Sequence, residues 1–472
     1  MRLVSRNSQT ASSRSVALRR LLLNRVVIAA GAGFGLVAAQ FFRNTAVTNR
    51  IWAEDGAVFG RQAFENHIWQ QVGRGYAGYL VAPERLLAAP IVSTVPAARW
   101  GQWFALSAMV VAAFAALSVF RLSGGILRAW PTRAALALLV AVGPKMRGEW
   151  PAIANVGWPL LVAMFWVIIS VRSDIFSTGL RCVIAALAIT ASGLGLAFVP
   201  LAGLVLGGRD LRVVKRFLDR PSLMESNEAR VSLKRADLVL GVVIALAALL
   251  QIVGLATAVA GPKAFRSTPP DIGRLLMVRV FGSALVGERF VDDAWKHWGM
   301  AFALGAVAVI VVGLVAGLRR ASTSTRSLVF AAVAYAVAIG AASLRTRGTE
   351  PFALQPKQFT FDADRYFIIP TFLVVSAAAI VIDRWSRDDQ HMTSGLESAS
   401  MTASSMFAGF VAIVLVATGF NLRNPEQPSE PWSVAVRHAR STCLADLGLA
   451  RVDIPIAPAG IFRLTVPCSR LR

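Results

Sequence analysis

The 472 residues are 56% hydrophobic and only 16% charged, with a net charge of +23, where an average soluble domain is about 25% charged. Apolar runs at 26–42, 103–120, 238–260, 300–318, 328–344 and 367–382 reach or approach the roughly 17–25 residues a helix needs to cross a bilayer. A soluble fold is excluded, and with no strand alternation so is a β-barrel. An all-α polytopic transmembrane helix bundle is expected.

In chain order, six arginines and no acid precede position 26. They keep residues 1–25 on the cytoplasmic side by the positive-inside rule. The run 26–42 then reads as an uncleaved anchor helix, although Val37-Ala38-Ala39 imitates a signal-peptide cleavage site. It exports a long first loop, 43–98, punctuated by Pro83, Pro90 and Pro96, with an amphipathic stretch at 58–69 suited to the membrane face. A helix over 101–120 returns to an inner loop marked by Arg121, Arg128 and Arg133. Spans near 134–144 and 157–171 follow. The outer link between them carries Lys145, Arg147 and Glu149, charges that suit a helix broken around a cavity.

Residues 181–206 lie between segments that both read as inner, the second holding eight Lys/Arg over 207–235. An even number of crossings is required, so the run divides at Ser192-Gly193-Leu194-Gly195. A helix over 237–260 goes out, and an outer loop over 261–299 contains an interfacial helix near 272–286. Helices at 300–318, 327–344 and 366–383 follow, with an outer loop at 345–365. A flexible linker, 384–405, leads to a last helix at 406–420 and an outer tail at 421–472. That makes about eleven spans over 26–420, N-terminus inside and C-terminus outside. Cys443 and Cys468 then face an oxidising compartment, where a disulfide would close a loop of about 25 residues. The alternative is two unpaired thiols. Cys182, in an apolar stretch, reads as inert packing.

Two groups of residues are suited to chemistry. Trp52-Ala53-Glu54-Asp55-Gly56 opens the first outer loop with adjacent carboxylates that repel each other, and partial burial would raise the pKa of at least one. A carboxylate there can take a proton from a hydroxyl nucleophile or help hold a divalent metal. The plain alternative is a solvated turn, since Asp-Gly is a common turn dipeptide. Arg347, Lys357 and the pair Arg365-Tyr366 gather around the loop 345–365. They serve either as interface anchors or as a clamp for phosphate oxygens at headgroup depth. Tyr76, Tyr79, Glu84 and Arg85 in the first loop suit either a sugar, which stacks on aromatic faces and bonds to carboxylates and guanidinium, or an interface belt, and Glu149 and Asn155 are placed to line a cavity beside them. His67, His297, His391 and His438 lack metal-ligand spacing, and no Gly-rich phosphate loop or nucleophile elbow is present.

Taken together, the basic N-terminus, the first helix and the outer Trp52-Ala53-Glu54-Asp55-Gly56 motif resemble the GT-C superfamily of membrane glycosyltransferases, in its bacterial many-span branch. Tyr76-Ala77-Gly78-Tyr79-Leu80 with Pro83-Glu84-Arg85-Leu86, Asn155-Val156-Gly157-Trp158, and Asp364-Arg365-Tyr366-Phe367 with Pro370 extend the resemblance over roughly residues 20–420. It implies a polyprenyl-phosphate sugar as donor and transfer at the outer face of a bacterial plasma membrane. The acceptor would be a cell-envelope polysaccharide or glycolipid. Asp55 or Glu54 would then be the general base, and Arg365 and Tyr366 would hold the lipid phosphate. A tight second acidic motif and a Trp-Trp-Asp signature are missing, so metal dependence and protein acceptors are not implied. The expected partners are therefore membrane lipid and a lipid-linked sugar, not nucleic acid. The competing readings are a transporter or flippase of a lipid-linked or anionic substrate, and a non-catalytic partner in an envelope assembly that docks through its tail.

Overall fold

The computed structural model describes residues 31–39, 41, 48–65, 68–142, 152–207, 227–257, 267–319, 321–347, 366–388, 405–411, 413, 430–458 and 460–472. The chain is mostly helical. After a π-helix at Asp55–Gly60, its main helices are α1 (Ala82–Thr94), α2 (Trp100–Ser123), α3 (Trp130–Val142), α4 (Gly157–Ile169), α5 (Ile175–Ala191), α6 (Asn227–Thr257), α7 (Glu288–Leu318), α8 (Thr323–Arg347), α9 (Ile368–Asp388) and α10 (Trp432–Ala445). Among the described residues, four helices are long and apolar enough to cross a membrane: Ala97–Ser123, Val231–Ala256, Phe290–Leu318 and Thr323–Thr346. The chain is thus a helical membrane protein. α3, α4 and α5 are apolar but shorter.

Local chemistry sets the element boundaries. α5 starts at Asp174, whose side chain accepts the Ser177 N–H, and it stops where Ser192 turns extended (φ −158°, ψ 143°). The chain resumes as a 3₁₀ turn over Gly193–Phe198. α7 kinks at Gly299, which has φ 51° and ψ −129°, a conformation outside the helical region that a glycine tolerates best. In the loop before it, helical turns at Pro269–Leu275, Leu276–Gly282 and Ser283–Val286 fill the place expected of an interfacial helix.

α4 sits at the centre of the bundle. Leu160 to Ile169 are all buried, as a helix apolar on every side requires. Small residues of α2 (Ala112, Ala115, Ala116) share its core with α3, α5 and α9. The fully buried Arg181 of α5 pairs with Asp237 of α6 at 2.8 Å and donates to the Val167 carbonyl of α4 at 2.9 Å. Asp383 of α9 accepts the backbone N–H groups of Arg128 and Ala129 just before α3, both at 2.8 Å.

A second apolar cluster joins α1 and the start of α2 to the C-terminal residues, and it corrects the all-α expectation. Strands β1 (Arg451–Ile456) and β2 (Phe462–Pro467) form an antiparallel hairpin with Ile454 facing Leu464 across the ladder. The alternation was present in the sequence: Ile454, Ile456, Leu464 and Val466 are buried, with more exposed residues between them. Such short strands are overshadowed by long apolar runs elsewhere. Nor do residues 430–472 hang free. Trp432 donates its ring N–H to the Ala97 carbonyl (2.7 Å) and its backbone N–H to the Asn49 carbonyl (2.7 Å). Its ring stacks on Trp100 at 6.2 Å. Cys443 and Cys468, both buried, are disulfide-bonded with their Cα atoms 5.5 Å apart, tying α10 to the end of the hairpin.

Candidate functional site

The site is built on the first loop, which the C-terminal unit holds in place. Ala53 donates its N–H to the Ala457 carbonyl (2.5 Å), and Ala457 donates to the Ile51 carbonyl (3.0 Å). Ala53 adopts φ 23°, a strained value for a residue with a Cβ, and this turn delivers Asp55 at the head of the π-helix. Gly56 leaves room for the hairpin: a Cβ there would lie 2.7 Å from Ile456 Cδ1. Asp55 is therefore not on a solvated turn; it is 2% exposed. Its Oδ2 accepts the Ile153 N–H (3.1 Å) and its Oδ1 the Ala154 N–H (2.8 Å). These amides belong to the 3₁₀ turn Ile153–Asn155 that leads into α4. Glu54 is half-buried beside it.

Glu84, in the first turn of α1, comes to the same place. It is 1% exposed, and its Oε2 has no hydrogen-bond partner among the described residues. Its Oε1 faces the start of α4, 3.6 Å from where a Cβ on Gly157 would lie. Burial pushes the Glu84 carboxyl well above the usual carboxylate range. Its own backbone amide and Arg85 pull it back, while the nearby Asp55 pushes it further up. The sequence singled out two adjacent acids, Glu54 and Asp55; the fold adds Glu84, whose carboxyl feels the charge of Asp55.

Arg85 is also buried. Its Nε donates to Gln62 Oε1 (3.0 Å), and its Nη1 donates to the carbonyls of Gln71 (2.6 Å) and Arg74. Burial lowers its pKa to about 10, Glu84 acting upward and Arg74 downward. These bonds make it a staple for the loop between the π-helix and α1. Tyr76 and Tyr79 close a tight turn by mutual backbone bonds of 2.7 and 3.0 Å, with Ala77 (φ 50°) and Gly78 (φ 91°) at its corner. Tyr76 meets Phe59 edge to face at 6.1 Å, and Tyr79 lies over Gly193, beyond the end of α5. Asn155 is buried at the end of the 3₁₀ turn.

Tyr366 reaches the same end of the bundle, its ring meeting Trp158 at 5.4 Å and 90°, one residue from the glycine that faces Glu84. The structure thus brings together Asp55, Glu84, Tyr79, Asn155 and Tyr366 around the start of α4. Arg347 closes α8, and its side chain lies outside the described residues, as do Glu149, Lys357 and Arg365. Among the described residues, no three His, Cys, Asp or Glu side chains form a group that would hold a metal ion.

Sequence reasoning missed two contributors. Gln251 of α6 accepts the Leu80 N–H through Oε1 at 3.2 Å, and its signal was a lone carboxamide in an apolar run. Trp432 and the hairpin were missed because their role lies in long-range contacts with the first loop. Comparison with protein-family models, curated proteins and solved structures finds no match to this chain.

Proposed function

We propose that this chain is a membrane glycosyltransferase of the GT-C kind, with about eleven spans. It moves a sugar from a polyprenyl-phosphate donor to a hydroxyl of a cell-envelope polysaccharide or glycolipid, at the outer face of a bacterial plasma membrane. The observation that carries this reading is the buried pair Asp55 and Glu84 at the start of α4, in which Glu84 keeps one oxygen unengaged. Asp55 has each oxygen on a backbone amide and fixes the turn into α4, while Glu84 has a lone pair to offer. Its upward shift brings a carboxylate towards the pH at which a base works best.

In the mechanism, Glu84 Oε2 takes the proton of the acceptor hydroxyl. The freed oxygen attacks the anomeric carbon, and the bond from that carbon to the phosphate oxygen breaks. Polyprenyl phosphate leaves with the electron pair. Tyr366 is assigned to the lipid phosphate, and Arg347, Lys357 and Arg365 are given the same role from the sequence alone. The reading also places the N-terminus in the cytoplasm and the disulfide-bonded C-terminal unit outside. Because residues 430–472 dock on the chain's own first loop, they give little support to the alternative of a tail that recruits a partner. The test is a membrane assay with radiolabelled polyprenyl-phosphate sugars. General-base assistance is worth about 10²–10⁴-fold, so Glu84→Gln should lose transfer by that factor while still inserting normally. Wild-type rates in Glu84→Gln would refute the assignment of the base.

A further inference from the structure

The end of the bundle opposite Asp55 and Glu84 gathers arginines. α4 links the two ends: it opens at Gly157, beside Glu84, and stops before Ser170. The Ser170 hydroxyl donates to the Leu122 carbonyl near the end of α2 (3.3 Å) and accepts the Arg172 N–H (3.3 Å). That lays residues 170–172 along Gly124 and Gly125, where a Cβ on Gly125 would lie 3.1 Å from Val171 Cγ2. Arg133 of α3 reaches the same place. Its Nε donates to the Phe120 carbonyl (3.1 Å), and its guanidinium lies over the Phe120 ring, 4.2 Å from the centroid. A Cβ on Gly124 would lie 2.9 Å from Arg172 Nη2 and 3.1 Å from Arg133 Nη2. The two nitrogens are therefore no further apart than the sum of those distances, and the bare glycine leaves them the room to converge.

Two guanidiniums this close repel each other, the more so because both side chains are half-buried. Arg133 feels the charge of Arg172 more strongly than that of Asp383. The nearby acids are engaged with other groups. Asp383 accepts the N–H groups of Arg128 and Ala129, and Asp174 holds Arg121 (2.8 Å) and the Ser177 hydroxyl (2.7 Å). Arg121, Arg128, Arg133 and Arg172 thus stand against Asp174 and Asp383 where these segments meet. An anion with several oxygens offsets such an excess, and the planar fork of Arg fits phosphate best. The surroundings say which phosphate. Trp130, one turn before Arg133, is 67% exposed, and Ile175 and Phe176 at the start of α5 are exposed as well. The Phe176 ring lies beneath the Arg121 guanidinium at 4.8 Å. Exposed rings and aliphatic chains beside arginines suit the level where headgroups meet acyl chains; a soluble phosphate makes no use of them. We propose that Arg133 and Arg172 together hold the phosphate of one anionic phospholipid, its acyl chains running past Trp130, Ile175 and Phe176. This inference does not depend on the transferase reading.

The test titrates the full chain, purified in dodecyl maltoside, with phosphatidylglycerol or phosphatidylcholine, and reads retained lipid by native mass spectrometry. Phosphatidylglycerol should be held about tenfold more tightly than phosphatidylcholine, whose choline cancels the charge, and millimolar inorganic phosphate should not displace it. Gly124→Ala is the sharpest variant. The position is helical (φ −63°, ψ −11°) and every charge is kept, yet the new methyl must push both guanidiniums aside. It should weaken phosphatidylglycerol by about tenfold, and so should Arg172→Gln. Arg319→Gln, which removes a charge after the end of α7, should bind as the wild type does. Should either Gly124→Ala or Arg172→Gln fail to fold, the other decides. Equal retention of the two lipids would overturn the proposal, as would wild-type binding in Gly124→Ala and Arg172→Gln. A loss in Arg319→Gln as large as in Arg172→Gln would reduce the effect to bulk charge and overturn it too. Displacement of the lipid by inorganic phosphate would overturn it in favour of a soluble anion.

Discussion

Cleaving the covalent tie at Cys443–Cys468 should loosen the end of the bundle that holds Asp55, although neither sulfur lies beside it. The bond closes a loop with a sequence separation of 25 residues, and in the chain-entropy model such a loop stabilises the closed unit by about 3.5 kcal/mol. In the double variant Cys443→Ala, Cys468→Ala, α10 loses its tie to β2, and the hairpin that pairs Ala457 with Ile51 and Ala53 is held by hydrogen bonds and apolar contacts alone. Asp55 follows Ala53, so the disturbance should pass to the amides Asp55 holds. If the whole 3.5 kcal/mol appears as easier local opening, amide exchange should quicken by up to roughly 400-fold. The assay is hydrogen exchange by mass spectrometry, resolved to peptides covering 48–60, 152–157 and 451–467. The expected result is faster exchange in all three, Ile153 and Ala154 included. Faster exchange confined to the C-terminal unit, with 152–157 unchanged, would refute the idea that the tail positions Asp55.

Gly56→Ala should destabilise by about 1–3 kcal/mol through overpacking, since its Cβ would meet Ile456 Cδ1 at 2.7 Å and Ile51 Cγ2 at 2.8 Å; an unchanged unfolding temperature would speak against the close fit of hairpin and loop. Trp432→Ala should cost about 3–5 kcal/mol as a large buried ring is lost, visible as early proteolysis of the C-terminal unit well below the unfolding temperature of the bundle. Glu84 gives a pH signature of fixed sign. Its folded pKa stands above the ordinary 4.5, so the stability it contributes is greatest below pH 4.5 and declines as pH rises from there through the folded pKa. Glu84→Gln should remove that decline and be the more stable protein at neutral pH; a wild type whose stability rises over the same window relative to the variant would contradict the burial argument.

The membrane-spanning character was plain in the sequence because lipid demands long apolar helices, and composition reports that demand directly. The break at Ser192 could also be read, since the local Ser-Gly-Leu-Gly offered the turn and the basic flanks argued for dividing the run. The acid at Asp55 was legible as a residue of interest but not in its surroundings. Its bonds run to Ile153 and Ala154, about a hundred positions away, and no local pattern encodes such a contact. The same holds for Glu84, which reads in the sequence as one acid in a Pro-Glu-Arg turn. Its burial depends on long-range neighbours such as Gly157 at the start of α4. The β-hairpin stayed hidden for a different reason: two strands of six residues carry little periodic signal, and their burial depends on a surface supplied by the first loop.

The most direct test of the account is sugar transfer in membranes containing the chain, with radiolabelled polyprenyl-phosphate sugars as donors, comparing wild type, Glu84→Gln and Asp55→Asn. The account predicts transfer by the wild type and a loss of about 10²–10⁴-fold in Glu84→Gln, with a loss in Asp55→Asn that tracks faster exchange at Ile153 and Ala154. Undiminished transfer in Glu84→Gln, or no transfer by wild-type membranes from any such donor, would contradict it.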